Sequence, residues 1–177
     1  MTLGWAQDSS KPSAPAADLS GVHDFDFLFG EWRVHHRVKR AGNGNQWLEF
    51  DGTCSAHGLM AGSANVEDHV FDKANGITRA VGLRAYDPKN ASWAIWWIDG
   101  RNPHGALDPP MKGRFDKGTG TFYLDSTLDG KAVRTRFIWS LITPQSARWE
   151  QAYSYDAGKS WDTNWIMEFR RVGQPAH

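Results

Sequence analysis

Cysteine is nearly absent from this sequence, and neither sign of charge is in excess. Cys54 is the single cysteine, so no disulfide can form within the chain, and we expect it to be a buried small apolar side chain. The 20 basic residues equal the 20 acidic ones, and no run of five like charges occurs. Binding to a phosphate backbone requires a basic surface, so we expect no nucleic-acid partner.

Long apolar runs and helical patterns are also missing. No run approaches the roughly 20 apolar residues that a helix needs to cross a bilayer, so we expect no membrane span. The one helical candidate runs from Asp24 to Gly30, where Phe25, Leu28 and Phe29 share one side. It is long enough for one or two turns only.

The two ends of the chain are too polar and too rich in small residues to form part of a core. Residues 1–21 are predicted to be a disordered tail or the remnant of an export signal, and residues 172–177 a second tail. If the true start lies upstream, the protein is periplasmic or secreted; otherwise it is cytoplasmic. The body, residues 22–171, is the size of one domain.

The body has a hydrophobic period of two, which is typical of β-strands. Near its start, Trp32, Val34 and Val38 alternate with Arg33, His35 and Arg37, so one face is apolar and the other polar. The pattern recurs downstream, including a stretch in which Val81 and Leu83 oppose Arg84. The further stretches are residues 79–85, 133–141, 149–155 and 165–170, and the turn signals between strands include Gly42-Asn43-Gly44-Asn45, Asn75-Gly76, Asp87-Pro88 and Asp129-Gly130.

Consecutive hairpins without covering helices leave two sheet edges and one apolar face exposed. Closing the sheet on itself removes both problems, so the pattern predicts an all-β, antiparallel up-and-down barrel of about eight to ten strands and favours it over a sandwich. A barrel of this size has room for side chains and one small ligand.

Two sets of residues resemble known proteins. The segment Gly30-Glu31-Trp32, after an apolar turn and at the head of the first strand, resembles the Gly-x-Trp signature of lipocalins and related calycins. The phrases His23-Asp24-Phe25-Asp26-Phe27-Leu28, Leu107-Asp108-Pro109-Pro110, Ala147 to Ala152 and Thr163-Asn164-Trp165 are similar to a bacterial family known as a domain of unknown function with a lipocalin-like barrel.

These resemblances imply a lipocalin-like barrel in which an arginine after the last strand lies across the first tryptophan. The parity of the last strand assigns this role to Arg171, with Arg170 as the substitute, and the partner is Trp32. Haem-binding calycins use an axial histidine near the C-terminus, but this sequence has no histidine from Gly105 to Ala176. We therefore expect no haem and no other cofactor.

Our leading functional hypothesis is that the barrel holds a hydrophobic or aromatic small molecule. Apolar walls with a few polar groups are the usual form of such a site. Parity places Gln151 on the inner face of its strand and Glu150 on the outer one, and a twist that reverses this parity would make Glu150 the interior carboxylate and an acid–base candidate. The predicted ligand-binding residues are Trp32, Val34, His36, Trp97, Phe137, Trp139, Gln151 and Trp165.

Two other functions remain open at this point. A cofactor-independent isomerase, cyclase or lyase would use the same cavity, with His36, Glu150 or His104 as candidate catalytic groups. A filled barrel would instead bind a partner through Trp96, which faces outwards unless the loop of residues 99–111 covers it. A homodimer is left open, and no metal site is expected because adjacent His35 and His36 point to opposite faces.

Overall fold

The structure is a computed structural model that describes residues 17–40 and 46–173. Ten antiparallel strands form one closed barrel, and each strand pairs with the next along the chain. Two three-residue 3₁₀ helices, η1 and η2, complete the described elements, and no described helix is long and apolar enough to span a bilayer. In chain order the elements are η1 (Asp26–Leu28), β1 (Gly30–Lys39), β2 (Trp47–Leu59), η2 (Met60–Gly62), β3 (Ala64–Lys73), β4 (Gly76–Asp87), β5 (Ser92–Asp99), β6 (Met111–Asp116), β7 (Thr119–Leu128), β8 (Lys131–Ser140), β9 (Ser146–Ser154) and β10 (Asp162–Arg171).

The barrel closes where the last strand pairs with the first. Trp32 lies opposite Arg171, and the register continues to Val38 opposite Trp165. The sheet therefore has no free edge, and the predicted up-and-down barrel is confirmed. The predicted turn at Gly42-Asn43-Gly44-Asn45 lies outside the described residues.

The segment before β1 closes one end of the barrel. Phe25 and Leu28 are fully buried there, and the indole Nε1 of Trp32 donates a 2.7 Å hydrogen bond to the carbonyl oxygen of Leu28. The guanidinium carbon of Arg171 lies 4.1 Å from the centre of the Trp32 ring, which confirms the expected cation–π contact. Arg171 also donates hydrogen bonds to the carbonyl oxygens of Phe27, Phe29 and Pro144. One side chain thus joins the last strand to the closing segment.

The inward faces of β1, β8 and β10 are those that the alternation predicts. Trp32, Trp139 and Phe169 are about 99% buried, and Cys54 on β2 is buried as expected. The interior is therefore apolar and aromatic over much of its circumference.

Strand β4 has the opposite polarity to the one predicted. Arg84 is only 2% exposed, whereas Leu83, expected on the inner face, is 37% exposed. The arginine is stable inside because β3, which pairs with β4, turns Asn65 and Glu67 inwards as its partners. The apolar residues of the β4 alternation therefore lie on the outer face of the barrel, and Arg84 lies on the inner face.

Candidate ligand-binding site

The barrel contains a cavity of about 430 Å³. This volume lies within the range of roughly 300–1,000 Å³ that is usual for small-molecule sites. Its walls come mainly from β5 and from the strands β7 to β10. The aromatic residues of the lining are Trp97, Phe137, Trp139, Trp149, Tyr153 and Trp165.

The cavity lies towards the end of the barrel opposite the η1 segment. In an up-and-down barrel the connections alternate between the two ends, so β5–β6, β7–β8 and β9–β10 meet at one end, away from η1. The lining includes Asp108 and Pro109 from the β5–β6 connection, and Leu128, the last residue of β7. The mouth is therefore built from loops, and the closed end from the N-terminal segment.

A buried ion pair borders the cavity. The Nη2 atom of Arg84 donates a 2.5 Å hydrogen bond to Oε1 of Glu67, and its Nη1 donates a 3.0 Å bond to Oδ1 of Asn65. The guanidinium also lies over the rings of Phe25 and Trp139, at 4.7 and 5.6 Å. Burial acts to raise the pKa of Glu67, but Arg84 and His69 together outweigh it, so the pKa is lowered to about 2 and the carboxylate is ionised.

A glycine makes room for this pair. Gly82 lies directly opposite Glu67 in the β3–β4 ladder. A Cβ atom at position 82 would lie 2.4 Å from Oε1 of Glu67, which is closer than two non-bonded atoms approach. The absent side chain of Gly82 is the space that the carboxylate occupies.

A second cluster of polar side chains lies where the second half of β9 pairs with the start of β10. The amide nitrogen of Gln151 donates hydrogen bonds to Oδ1 of Asn164, at 2.8 Å, and to the hydroxyl of Tyr153, at 3.3 Å. Gln151 and Tyr153 both line the cavity. A ligand would therefore meet hydrogen-bonding groups among its aromatic walls.

The structure places five of the eight predicted ligand-binding residues in the cavity lining and three elsewhere in the interior. Trp97, Phe137, Trp139, Gln151 and Trp165 line the cavity. Trp32, Val34 and His36 are buried but belong to a part of the interior that other side chains fill.

His36 is enclosed by aromatic rings. Its ring stacks on Phe50 at 4.8 Å and meets Phe71 edge-on at 5.0 Å, while Nε1 of Trp165 donates a 3.3 Å hydrogen bond to its Nδ1. Burial lowers the pKa of His36 to about 3, so the ring is neutral at ordinary pH. This environment is that of a core histidine.

The other two catalytic candidates also lie outside the cavity lining. Glu150 points away from the interior, where its Oε1 accepts a 2.8 Å hydrogen bond from Nη2 of Arg148. His104 is exposed in the β5–β6 connection. The parity of β9 explains Glu150, because its neighbours Trp149 and Gln151 occupy the inner face.

The loop of residues 99–111 contributes to the cavity lining, whereas Trp96 does not. Asp108 and Pro109 of the loop border the cavity, as a flap would. Trp96 lies on the outer face of β5, half-buried and opposite Leu83 of β4.

Glu67 and Arg84 are the charged site residues that sequence reasoning missed, and Trp149 and Tyr153 are aromatic lining residues outside the predicted set. The apolar alternation of β4 assigns Arg84 to the outer face, because Val81 and Leu83 have the opposite parity. In β3, Val66 and Val70 likewise have the opposite parity to Glu67. One available signal is Gly82, since a glycine opposite a charged residue in a hairpin indicates a side chain that needs space.

Comparisons with known proteins support the fold. Neither the protein-family models nor the curated proteins give a match. Among solved structures, the S-type phycobiliprotein lyase CPES from Guillardia theta is similar, with a TM-score of 0.58 and 13% sequence identity over 87% of this chain and 94% of that chain. The chain has a lipocalin-like fold. At this identity the likeness extends to the fold alone.

Proposed function

We propose that this lipocalin-like barrel binds a small apolar or aromatic molecule in its interior. The observation that carries the proposal is the cavity of about 430 Å³ with six aromatic residues in its lining and loops at its mouth. Aromatic side chains offer large apolar area and preferred ring geometries, so they favour a flat, conjugated or aromatic ligand.

The buried charges of the lining favour an uncharged ligand core; the other charged lining residue, Asp108, is exposed in the β5–β6 connection. Arg84 and Glu67 neutralise each other, so a charged group brought beside them would have no free counter-ion. Hydrogen bonding is available instead from Gln151 and Tyr153. We therefore expect a largely apolar molecule with a few neutral hydrogen-bonding atoms.

The test uses a neutral fluorescent probe and two matched variants of β8. Val133 is 5% exposed and lines the cavity, whereas its neighbour Ala132 is exposed on the outer face. N-Phenyl-1-naphthylamine should bind the wild-type protein with enhanced emission, and Val133→Phe should weaken binding by about tenfold or more because the new ring projects into the cavity and takes up part of the space for the probe. Ala132→Phe should leave binding unchanged.

Two results would contradict binding in the cavity. One is the absence of any emission change with the wild-type protein. The other is equal probe affinity for Val133→Phe and the wild-type protein, when circular dichroism shows that both are folded.

An enzyme that uses the same cavity is the second candidate, and the fold shared with a phycobiliprotein lyase favours it. The buried carboxylate of Glu67 borders the cavity, but its lowered pKa makes it a weak base. Native mass spectrometry of protein from its own host would separate the two functions. A co-purified molecule whose mass and chromatographic retention are both unchanged after incubation supports binding, and a change in either supports the enzyme, since an isomerisation changes the retention without changing the mass.

A further inference from the structure

Three side chains with metal-binding atoms meet in the interior beside the cavity. Cys54 of β2 lies directly opposite His69 of β3, and Glu67 precedes His69 by two residues and so shares its face. All three side chains are buried. The register of one hairpin therefore brings together a thiol, an imidazole and a carboxylate that are scattered in the sequence.

The spacing of the three groups suits one small cation. Their ligand atoms all lie within 4.8 Å of one another, with Nε2 of His69 3.2 Å from Oε1 of Glu67 and Sγ of Cys54 3.8 Å from Oε2. Tetrahedral zinc, with bonds of about 2.3 Å to sulfur and 2.0–2.2 Å to nitrogen or oxygen, spaces its ligands by about 3.3–3.6 Å. The two separations that involve Glu67, 3.2 and 3.8 Å, lie on either side of this spacing, and the separation of 4.8 Å or less between the Cys54 and His69 ligand atoms must approach it for all three to share one ion.

The imidazole of His69 provides an independent indication of a ligand. His69 is fully buried, yet neither ring nitrogen makes a hydrogen bond of acceptable geometry within residues 17–40 and 46–173. Buried polar atoms are nearly always paired, because an unpaired one loses its hydration without compensation. Nε2 lies 3.2 Å from Oε1 of Glu67 without hydrogen-bonding geometry, and a cation bound to Nε2 would give this nitrogen a well-oriented partner.

Arg84 and Asn65 are placed to support such a site. Arg84 bonds Oε1 of Glu67 and is itself held by Asn65, which leaves Oε2 on the Cys54 side of the carboxylate. Partners of this kind orient metal-ligating carboxylates in known sites. Zinc binds cysteine as the thiolate, so Cys54 would release a proton on binding the ion.

We propose that Cys54, Glu67 and His69 form a binding site for a thiophilic divalent transition metal ion, and that zinc is the ion whose ligand preferences fit it. With the thiol ionised, the divalent ion, the thiolate and the Glu67–Arg84 pair sum to a single positive charge. Three protein ligands leave a fourth position for water, and a hydroxide there would neutralise that charge. This site is separate from the binding function proposed above.

Cobalt(II) is the probe for this site because its spectrum reports the ligands. Full-length protein is stripped of metal with a chelator, kept reduced and titrated with Co²⁺. We expect one equivalent to bind, with visible bands typical of tetrahedral cobalt and a near-ultraviolet thiolate-to-cobalt charge-transfer band, and we expect Zn²⁺ to displace it.

Two variants test ligands of the proposed site, and a third is the control. Cys54→Ser should abolish the charge-transfer band, and His69→Gln should weaken cobalt binding at least tenfold. His57→Gln changes an exposed histidine of β2 and should bind as the wild-type protein does. Zn²⁺ should also raise the unfolding temperature of the wild-type protein and not that of Cys54→Ser, which tests the site even if a variant folds poorly.

A wild-type protein that binds no cobalt, or a Cys54→Ser variant that binds it with an unchanged spectrum, would overturn the proposal. The naphthylamine titration is carried out on the metal-free protein, so its outcome and that of the cobalt titration are independent.

Discussion

The buried histidine of β1 should make the protein sensitive to mild acid. His36 is fully buried between Phe50 and Phe71, and its Nδ1 accepts a hydrogen bond from Trp165. Protonation would place a charge in this aromatic environment and a hydrogen on the atom that now accepts one. Burial accordingly lowers the pKa of His36 from 6.5 to about 3.

The sign and the size of the effect follow from this shift. Because the folded state disfavours the protonated ring, the contribution of His36 to stability is fully present above pH 6.5 and is lost as the pH falls towards 3. With pKa values of 6.5 in the unfolded state and about 3 in the folded state, the free energy of unfolding should fall by about 2 kcal/mol between pH 7 and pH 5. That is a sizeable fraction of the stability of an ordinary domain.

Urea unfolding at pH 7 and pH 5 measures this loss, with His36→Gln as the comparison. Glutamine can still accept a hydrogen bond but does not titrate. We expect the free energy of unfolding of the wild-type protein to fall by about 2 kcal/mol more than that of the variant over this interval. Parallel losses in the two proteins would refute the reasoning, because the other titrating groups are common to both.

Three further predictions concern the buried ion pair and the closing arginine. Glu67→Gln leaves the charge of Arg84 unpaired and should lower the free energy of unfolding, measured with urea, by about 3–5 kcal/mol. The double variant Glu67→Met/Arg84→Met should lose much less stability, and equal losses in the two proteins would contradict this reasoning. Gly82→Ala should cost about 1–3 kcal/mol by displacing the Glu67 carboxylate, and thermal unfolding should show a smaller cost in a Glu67→Ala background. The lysine in Arg171→Lys cannot make all three hydrogen bonds to carbonyl oxygens, so the free energy of unfolding should fall by about 2–4 kcal/mol and the fluorescence of Trp32 should change. An unchanged spectrum and an unchanged stability would argue against the contact between Arg171 and Trp32.

The barrel itself was predictable because its evidence is local and repeated. Turn signals such as Asn75-Gly76 and Asp129-Gly130 lie at hairpins in the structure, and alternation along β1, β8 and β10 identifies their inner faces. The pairing of Trp32 with Arg171 follows from closure of a meander in which the last strand returns to the first. Each of these inferences needs only neighbouring residues and the parity of a strand.

The location of the cavity within the barrel was not predictable in the same way. Parity states that Trp32, Val34 and His36 face inwards, and they do. It does not state which inward side chains meet others of sufficient size to fill the space. Around β1 the rings of Phe50 and Phe71 fill it, while the side chains of β7 to β10 leave it open, and this depends on contacts across the barrel between residues far apart in sequence.

The inward polar face of β3 and β4 shows how such information is nevertheless present in a single sequence. The two strands reverse polarity together, so each looks regular on its own and only the pair is informative. Folding the chain at residues 74 and 75 pairs Asn65 with Arg84 and Glu67 with Gly82. On an outer face a glycine opposite a glutamate has no purpose, because solvent leaves room for any side chain; on an inner face it is the space that the carboxylate needs. Register and glycine together therefore indicate that this hairpin turns its charged residues into the barrel.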